Sequence, residues 1–169
     1  MLEKTNSQIL FEKINSFIEK YPEYSKSFGI LASEDLIQEM EENLSIRFPY
    51  EYRLFLKNWG MLYFVGGYYE YFGAMQFEDK IIQYVVDKTL LIRNGGLPDS
   101  YIVFSSDGEL EYLCMDTSQE NPNVQVWHCY KQCLVETIAD SFFEIICKDI
   151  NDRVLPYLLR EYNISIPKI

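Results

Sequence analysis

The most reactive side chains lie close together, with His128, Cys129 and Cys133 grouped just after an apolar run. A histidine beside two thiols suggests a zinc site, but Cys-x3-Cys is an unusual ligand spacing and no second ligand pair follows it. Buried or half-buried thiols are the better reading, and no metal is expected. His128 is the only histidine, so hydrolysis of the Ser-His-Asp or Cys-His type would have to run through it, and no Gly-x-Ser-x-Gly turn supplies a nucleophile. Gly66-Gly67 is followed by neither the lysine nor the hydroxyl residue of a phosphate-binding loop. With 26 aspartates and glutamates some carboxylates meet by chance, so paired acids carry little weight as a catalytic signal. The expectation is a protein that is not an enzyme and holds no cofactor.

What remains is chemistry of association. Residues 95–130 contain no Lys or Arg and carry Asp99, Asp107, Glu109, Glu111, Asp116 and Glu120. Tyr68, Tyr69 and Tyr71 add the aromatic surface that protein interfaces favour. The candidate partner-binding residues are therefore Tyr68, Tyr69, Glu70, Tyr71, Asp107, Glu109, Glu111 and Asp116. The competing reading is that acids at turns and strand edges only block edge-to-edge pairing. A second acidic surface is the outer side of the segment 33–45, where Glu34, Asp35, Glu39, Glu41 and Glu42 stand with no base among them.

Bulk composition narrows the partners. The chain has 169 residues, 48 % of them hydrophobic, enough for one domain with a sizeable core across 1–169. A formal net charge of -11 opposes direct binding of nucleic acid or an anionic membrane and attracts a basic partner. No apolar run approaches the roughly 20 residues of a membrane span. Glu3, Glu12 and Glu19 interrupt any signal-peptide core, so a cytoplasmic location is expected, with the four cysteines reduced.

The elements that must position these residues read as follows. Ile9, Leu10, Ile14, Phe17 and Ile18 have helical spacing and Pro22 stops them, giving a first helix and a connector over 1–32. Leu36, Ile37, Met40 and Leu44 mark a second helix capped by Ser33. Pro49 fixes a joint before a third, with Tyr52, Phe55, Leu56 and Trp59 inward and Gly60 as the left-handed stop. The Gly66-Gly67 pair predicts a hairpin between 61–65 and 68–72. Ile82, Val85, Val86 and Leu90 predict a helix over 79–94. Strands follow at 101–104, 110–116, 124–127 and 134–139, turning at Asp107-Gly108. Ser141 and Glu144 form a capping box for a last helix, which Pro156 breaks or kinks before a tail over 156–169. The class is α+β: N-terminal helices, a central largely antiparallel sheet and a C-terminal helix.

In this order the residues resemble the SUKH superfamily, or Smi/Knr family, of bacterial immunity proteins and eukaryotic regulatory modules. The resemblance rests on Phe48-Pro49-Tyr50-Glu51-Tyr52-Arg53-Leu54-Phe55-Leu56 with Asn58-Trp59-Gly60, then Gly96-Leu97-Pro98, Asp107-Gly108, Leu113-Cys114-Met115-Asp116, the run 124–127, and Ala139-Asp140-Ser141-Phe142-Phe143-Glu144. It implies an antitoxin that binds and neutralises the C-terminal effector domain, commonly a nuclease, of a bacterial polymorphic toxin. The family's alternative role is a regulatory or scaffold module. The shared residues are core and turn residues, so the resemblance carries no catalytic residue onto this chain.

Overall fold

The computed structural model describes residues 5–108 and 110–169. Helix α1 (Asn6–Lys20) opens with a capping box in which Thr5 and Gln8 each satisfy the other's backbone N–H. A short turn leads to strand β1 (Ser25–Ser27), then α2 (Glu34–Leu44) and α3 (Tyr50–Asn58). The Ser33 hydroxyl caps α2 by accepting from the N–H of Leu36, and Ser45 in the left-handed conformation ends it. Pro49 is the residue that caps α3, at the joint between the two helices.

Strands β2 (Leu62–Phe64) and β3 (Glu70–Tyr71) form the expected antiparallel hairpin around Gly66-Gly67, with Gly66 at φ 80°. The next segment departs from its periodicity. Only Tyr84–Arg93 is helical, as α4; ahead of it β4 (Met75–Phe77) and β5 (Lys80–Ile82) make a separate two-stranded ribbon. Ile81 and Ile82 are good strand formers, and the two-residue turn at Glu78-Asp79 takes them out of helical register.

Strands β6 (Tyr101–Ser106), β7 (Glu111–Asp116), β8 (Val124–His128) and β9 (Cys133–Ala139) follow as an antiparallel meander. The seven-stranded sheet runs β1-β2-β3-β6-β7-β8-β9. Its centre is buried: Leu113, Cys114 and Met115 in succession are fully covered, so both faces of the sheet are packed there. Phe142 is the hub of the core, ringed by Tyr52, Phe55, Tyr71 and Phe104 with ring centroids 5.0–6.3 Å away.

Helix α5 (Phe142–Asp149) carries half of the expected capping box. Ser141 accepts from the Glu144 N–H, while the Glu144 carboxylate takes the N–H of Asp140 at 2.7 Å. Pro156 does not end the helical rod. A π-turn over Ile150–Val154 precedes α6 (Leu155–Tyr162), and Leu155 N–H reaches back to the Ile150 carbonyl. The result is an α+β fold with helices on a mainly antiparallel sheet.

Candidate protein-binding site

One end of the sheet gathers the chemically distinctive side chains. The β6–β7 and β8–β9 turns lie at the same end because Glu111 pairs with His128 and His128 with Cys133. Asp107 organises the first turn, its Oδ1 accepting from the N–H of Leu110 at 3.1 Å and of Glu111 at 3.2 Å, while Gly108 supplies a φ of 87°. Cys129 N–H donates to the Leu110 carbonyl and ties the two turns together. Because Glu70 on β3 pairs with Ser106, the loop before β3 delivers Tyr68 to this end, where its hydroxyl lies 3.4 Å from Asp107 Oδ2. Tyr130 stands at the tip of the β8–β9 turn, 80 % exposed, with its ring 6.4 Å from that of His128. Two exposed tyrosines thus flank the carboxylates of Asp107 and Glu111.

Beneath Tyr68 lies a cavity of about 250 Å³ lined by Tyr68, Tyr69, Ile138, Asp149 and Arg153, among others. Its floor holds a buried carboxylate. Asp149, 3 % exposed, accepts from the Tyr68 N–H at 2.9 Å and lies 3.4 Å from the Tyr71 hydroxyl. Burial pushes its pKa up to about 6, against the opposing pull of the Tyr68 and Tyr69 amides and the Tyr71 hydroxyl. Burial and the Asp149 charge together push the Tyr69 phenol up to about 12. Gly67 lets this loop close, since a Cβ there would stand 3.1 Å from Asp149 Oδ2. The Arg153 guanidinium lies 5.4 Å from the centre of the Tyr68 ring, a cation–π contact that holds the ring over the cavity.

The sequence-derived set divides accordingly. Tyr68, Tyr69, Glu70, Asp107 and Glu111 are brought together. Tyr71 shares their strand but is fully buried, so it serves the core and Asp149. Asp116 lies at the far end of β7, opposite Tyr101, about 17 Å from Glu111 by strand rise. It receives the Ser118 hydroxyl and amide, which hold its pKa below the usual carboxylate range despite partial burial. Glu109 lies outside the described residues. Tyr130, Asp149 and Arg153 were missed; an aromatic residue in a predicted turn was the one available signal, and it pointed only to Tyr130.

Two acids of the other acidic surface are tied into the scaffold, while Asp35, Glu39 and Glu42 stay exposed. Glu41 is 2 % exposed and accepts from the Phe48 N–H at 2.7 Å, Arg53 Nη1 at 2.6 Å and Arg47 Nη1 at 3.1 Å. Glu34 pairs with Arg53 and Lys57. These ion pairs pin α2 to α3, so Glu34 and Glu41 act as a joint of the scaffold. Among the described residues no group of three His, Cys, Asp or Glu side chains is placed to hold a metal ion, and no helix is long and apolar enough to cross a membrane.

Residues 14–149 match the family model described as SMI1-KNR4 cell-wall (SUKH_5). The chain belongs to the SMI1-KNR4 family. The matched span runs from α1 through the end of α5 and includes Asp149, so the cavity floor lies within the family domain and Arg153 just beyond it. Among solved structures, the SMI1-KNR4 chain resembles a protein from Pseudomonas syringae pv. tomato, known from its crystal structure. The two share 21 % identity over 89 % of this chain and 96 % of the other, with a TM-score of 0.57, a likeness of fold. No curated protein matches the chain.

Proposed function

We propose that this SMI1-KNR4 protein is an immunity protein, acting in the cytoplasm to bind and neutralise the C-terminal effector domain of a bacterial polymorphic toxin. The observation that carries the reading is the convergence of exposed Tyr68 and Tyr130 with Asp107 and Glu111 at one end of the sheet. Tyrosines supply rigid, amphipathic contact area, and carboxylates between them select a basic partner and speed its approach. The net charge of -11 adds to that attraction. A nuclease domain, with a basic groove for its substrate, is the effector class that fits. Inhibition then needs no chemistry from the immunity protein; occupying the groove excludes substrate.

The test is co-expression with the C-terminal domain of a toxin encoded beside this gene. The expected result is rescue of growth and a stable complex. Failure of both removes the immunity reading, and binding without rescue moves the chain to the regulatory or scaffold role found in the same family.

A further inference from the structure

Asp149 is a buried anion that the chain itself does not neutralise. Its carboxyl loses a proton at about pH 6, so at neutral pH it carries a charge while only 3 % exposed. Among the described residues no lysine, arginine or histidine forms an ion pair with it. Lys148, its neighbour in the chain, is engaged with the Glu144 carboxylate and the Ile138 carbonyl, each at 2.9 Å. Arg153 is turned to the Tyr68 ring and influences Asp149 less than its hydrogen bonds do. Charges held out of water are as a rule paired, and here the chain supplies no partner.

The space beside this carboxylate suits one side chain. At about 250 Å³ the cavity is smaller than the roughly 300–1,000 Å³ of pockets for drug-sized ligands. Ile138 on β9 and Ile145 on α5 give it apolar walls, and the Tyr68 and Tyr69 rings, 5.0 Å apart at 84°, give it aromatic ones. Asp152, its side chain 63 % exposed, adds a second carboxylate to the lining. An aliphatic stem ending in a positive charge meets each of these groups: methylenes on isoleucine, the cation against an aromatic face and a carboxylate. The carboxylate also separates lysine from arginine. A guanidinium fork takes both oxygens of a carboxylate side by side, but Oδ1 already accepts from the Tyr68 N–H and Oδ2 from the Tyr71 hydroxyl. An ammonium is a point charge that needs only one remaining lone pair.

We propose that this cavity is a socket for a single lysine side chain of the effector domain. The inference rests on the immunity reading above and names the contact that anchors it. The cavity shares Tyr68 with the face that carries Asp107, so capture of the lysine and attraction of a basic partner belong to one surface. A desolvated charge pair between aromatic walls is the kind of contact that dominates binding energy and fixes register.

The test is a double-mutant cycle with a catalytically inactive C-terminal domain of the toxin encoded beside this gene. Asp149→Asn keeps an oxygen for the Tyr68 amide, and Ile138→Trp fills the cavity while leaving the carboxylate in place. Each is expected to raise the Kd at least tenfold with an unchanged circular dichroism spectrum; should Asp149→Asn lose its spectrum, Ile138→Trp decides alone. Lysines of the effector domain are then changed singly to Met. One of them is expected to raise the Kd equally against wild type and to cause no further rise against either variant, and Arg at that position is expected not to restore binding. If wild type forms the complex but a folded variant binds as tightly, if no lysine couples to the socket, or if Arg substitutes fully, the socket is overturned and the immunity reading stands. If wild type does not bind the effector domain at all, both fall.

Discussion

The backbone N–H of Tyr68 donates to the side chain of Asp149 at 2.9 Å, joining residues 81 positions apart in the chain. This bond couples the loop that presents Tyr68 to the junction between α5 and the π-turn. The charge state of one buried carboxyl therefore bears on the geometry of the proposed binding face.

Stability should depend on pH through that group. The Asp149 pKa is raised from 3.8 to about 6, so the folded state favours the protonated acid. The stabilisation is fully present below the unfolded value and is lost as pH rises through 6. From pH 7.5 down to 5 it returns about 1.4 kcal/mol by linkage. Asp116 and Glu144, whose pKa values are lowered, act oppositely and lose their contributions only at more acid pH. Urea unfolding should show higher stability at pH 5 than at pH 7.5, and Asp149→Asn should flatten that difference.

Glu41→Ala should be among the most damaging single changes in the α2–α3 joint. It strips the buried Phe48 N–H and Arg53 Nη1 of their acceptor at once, leaving Arg53 only its Glu34 contact. A loss of about 3 kcal/mol is expected from leaving such groups unpaired. Glu41→Gln, which keeps an acceptor for the amide, should recover part of it in the same denaturation assay.

At the proposed binding face, Tyr130→Ala should raise the Kd for the proposed effector-domain partner by about tenfold or more, mainly through faster dissociation. Glu111→Lys should instead slow association and reduce its salt dependence. Asp116→Lys, at the opposite end of β7, is the control and should change neither rate. Stopped-flow association at several salt concentrations separates the three. An unchanged on-rate in Glu111→Lys would remove that residue from the face.

Gly66→Ala should destabilise the protein by about 2 kcal/mol. Gly66 has a φ of 80°, and a Cβ there would overlap the Tyr157 ring on α6. Thermal melting checks this, and Tyr157→Ala in the same background should relieve the overlap and restore part of the loss.

Local signals made most of the scaffold legible. The spacing of Leu36, Ile37, Met40 and Leu44, the Ser33 cap and the glycines at 60, 66 and 108 each express a constraint that a few neighbouring residues impose. The β4–β5 ribbon was hidden because Ile82, Val85 and Val86 suit a helical stripe as well as a strand followed by a helix. The site was half legible. Tyr68, Asp107 and Glu111 stood out by type, but what brings them together is sheet register, and a register set by long-range pairing has no local signature. Asp149 was indistinguishable from any surface acid on a helix until the Tyr68 loop was seen to close over it. Glu41 misled for the same reason: its burial depends on Arg53, twelve residues away.

The π-turn ahead of Pro156 sets the rotational phase of everything after it. Taking up one more residue than an α-turn in a single turn sets the downstream helix back by about 100° around its axis from where regular winding would put it. That offset is what lays Tyr157 against Gly66 and buries Leu158. Regular α winding of Ile150–Val154 at its full length would swing those contacts towards solvent, whereas deleting one residue there would restore regular winding with Tyr157 and Leu158 still facing inward, so the C-terminal helix is keyed to its seat by winding as much as by composition.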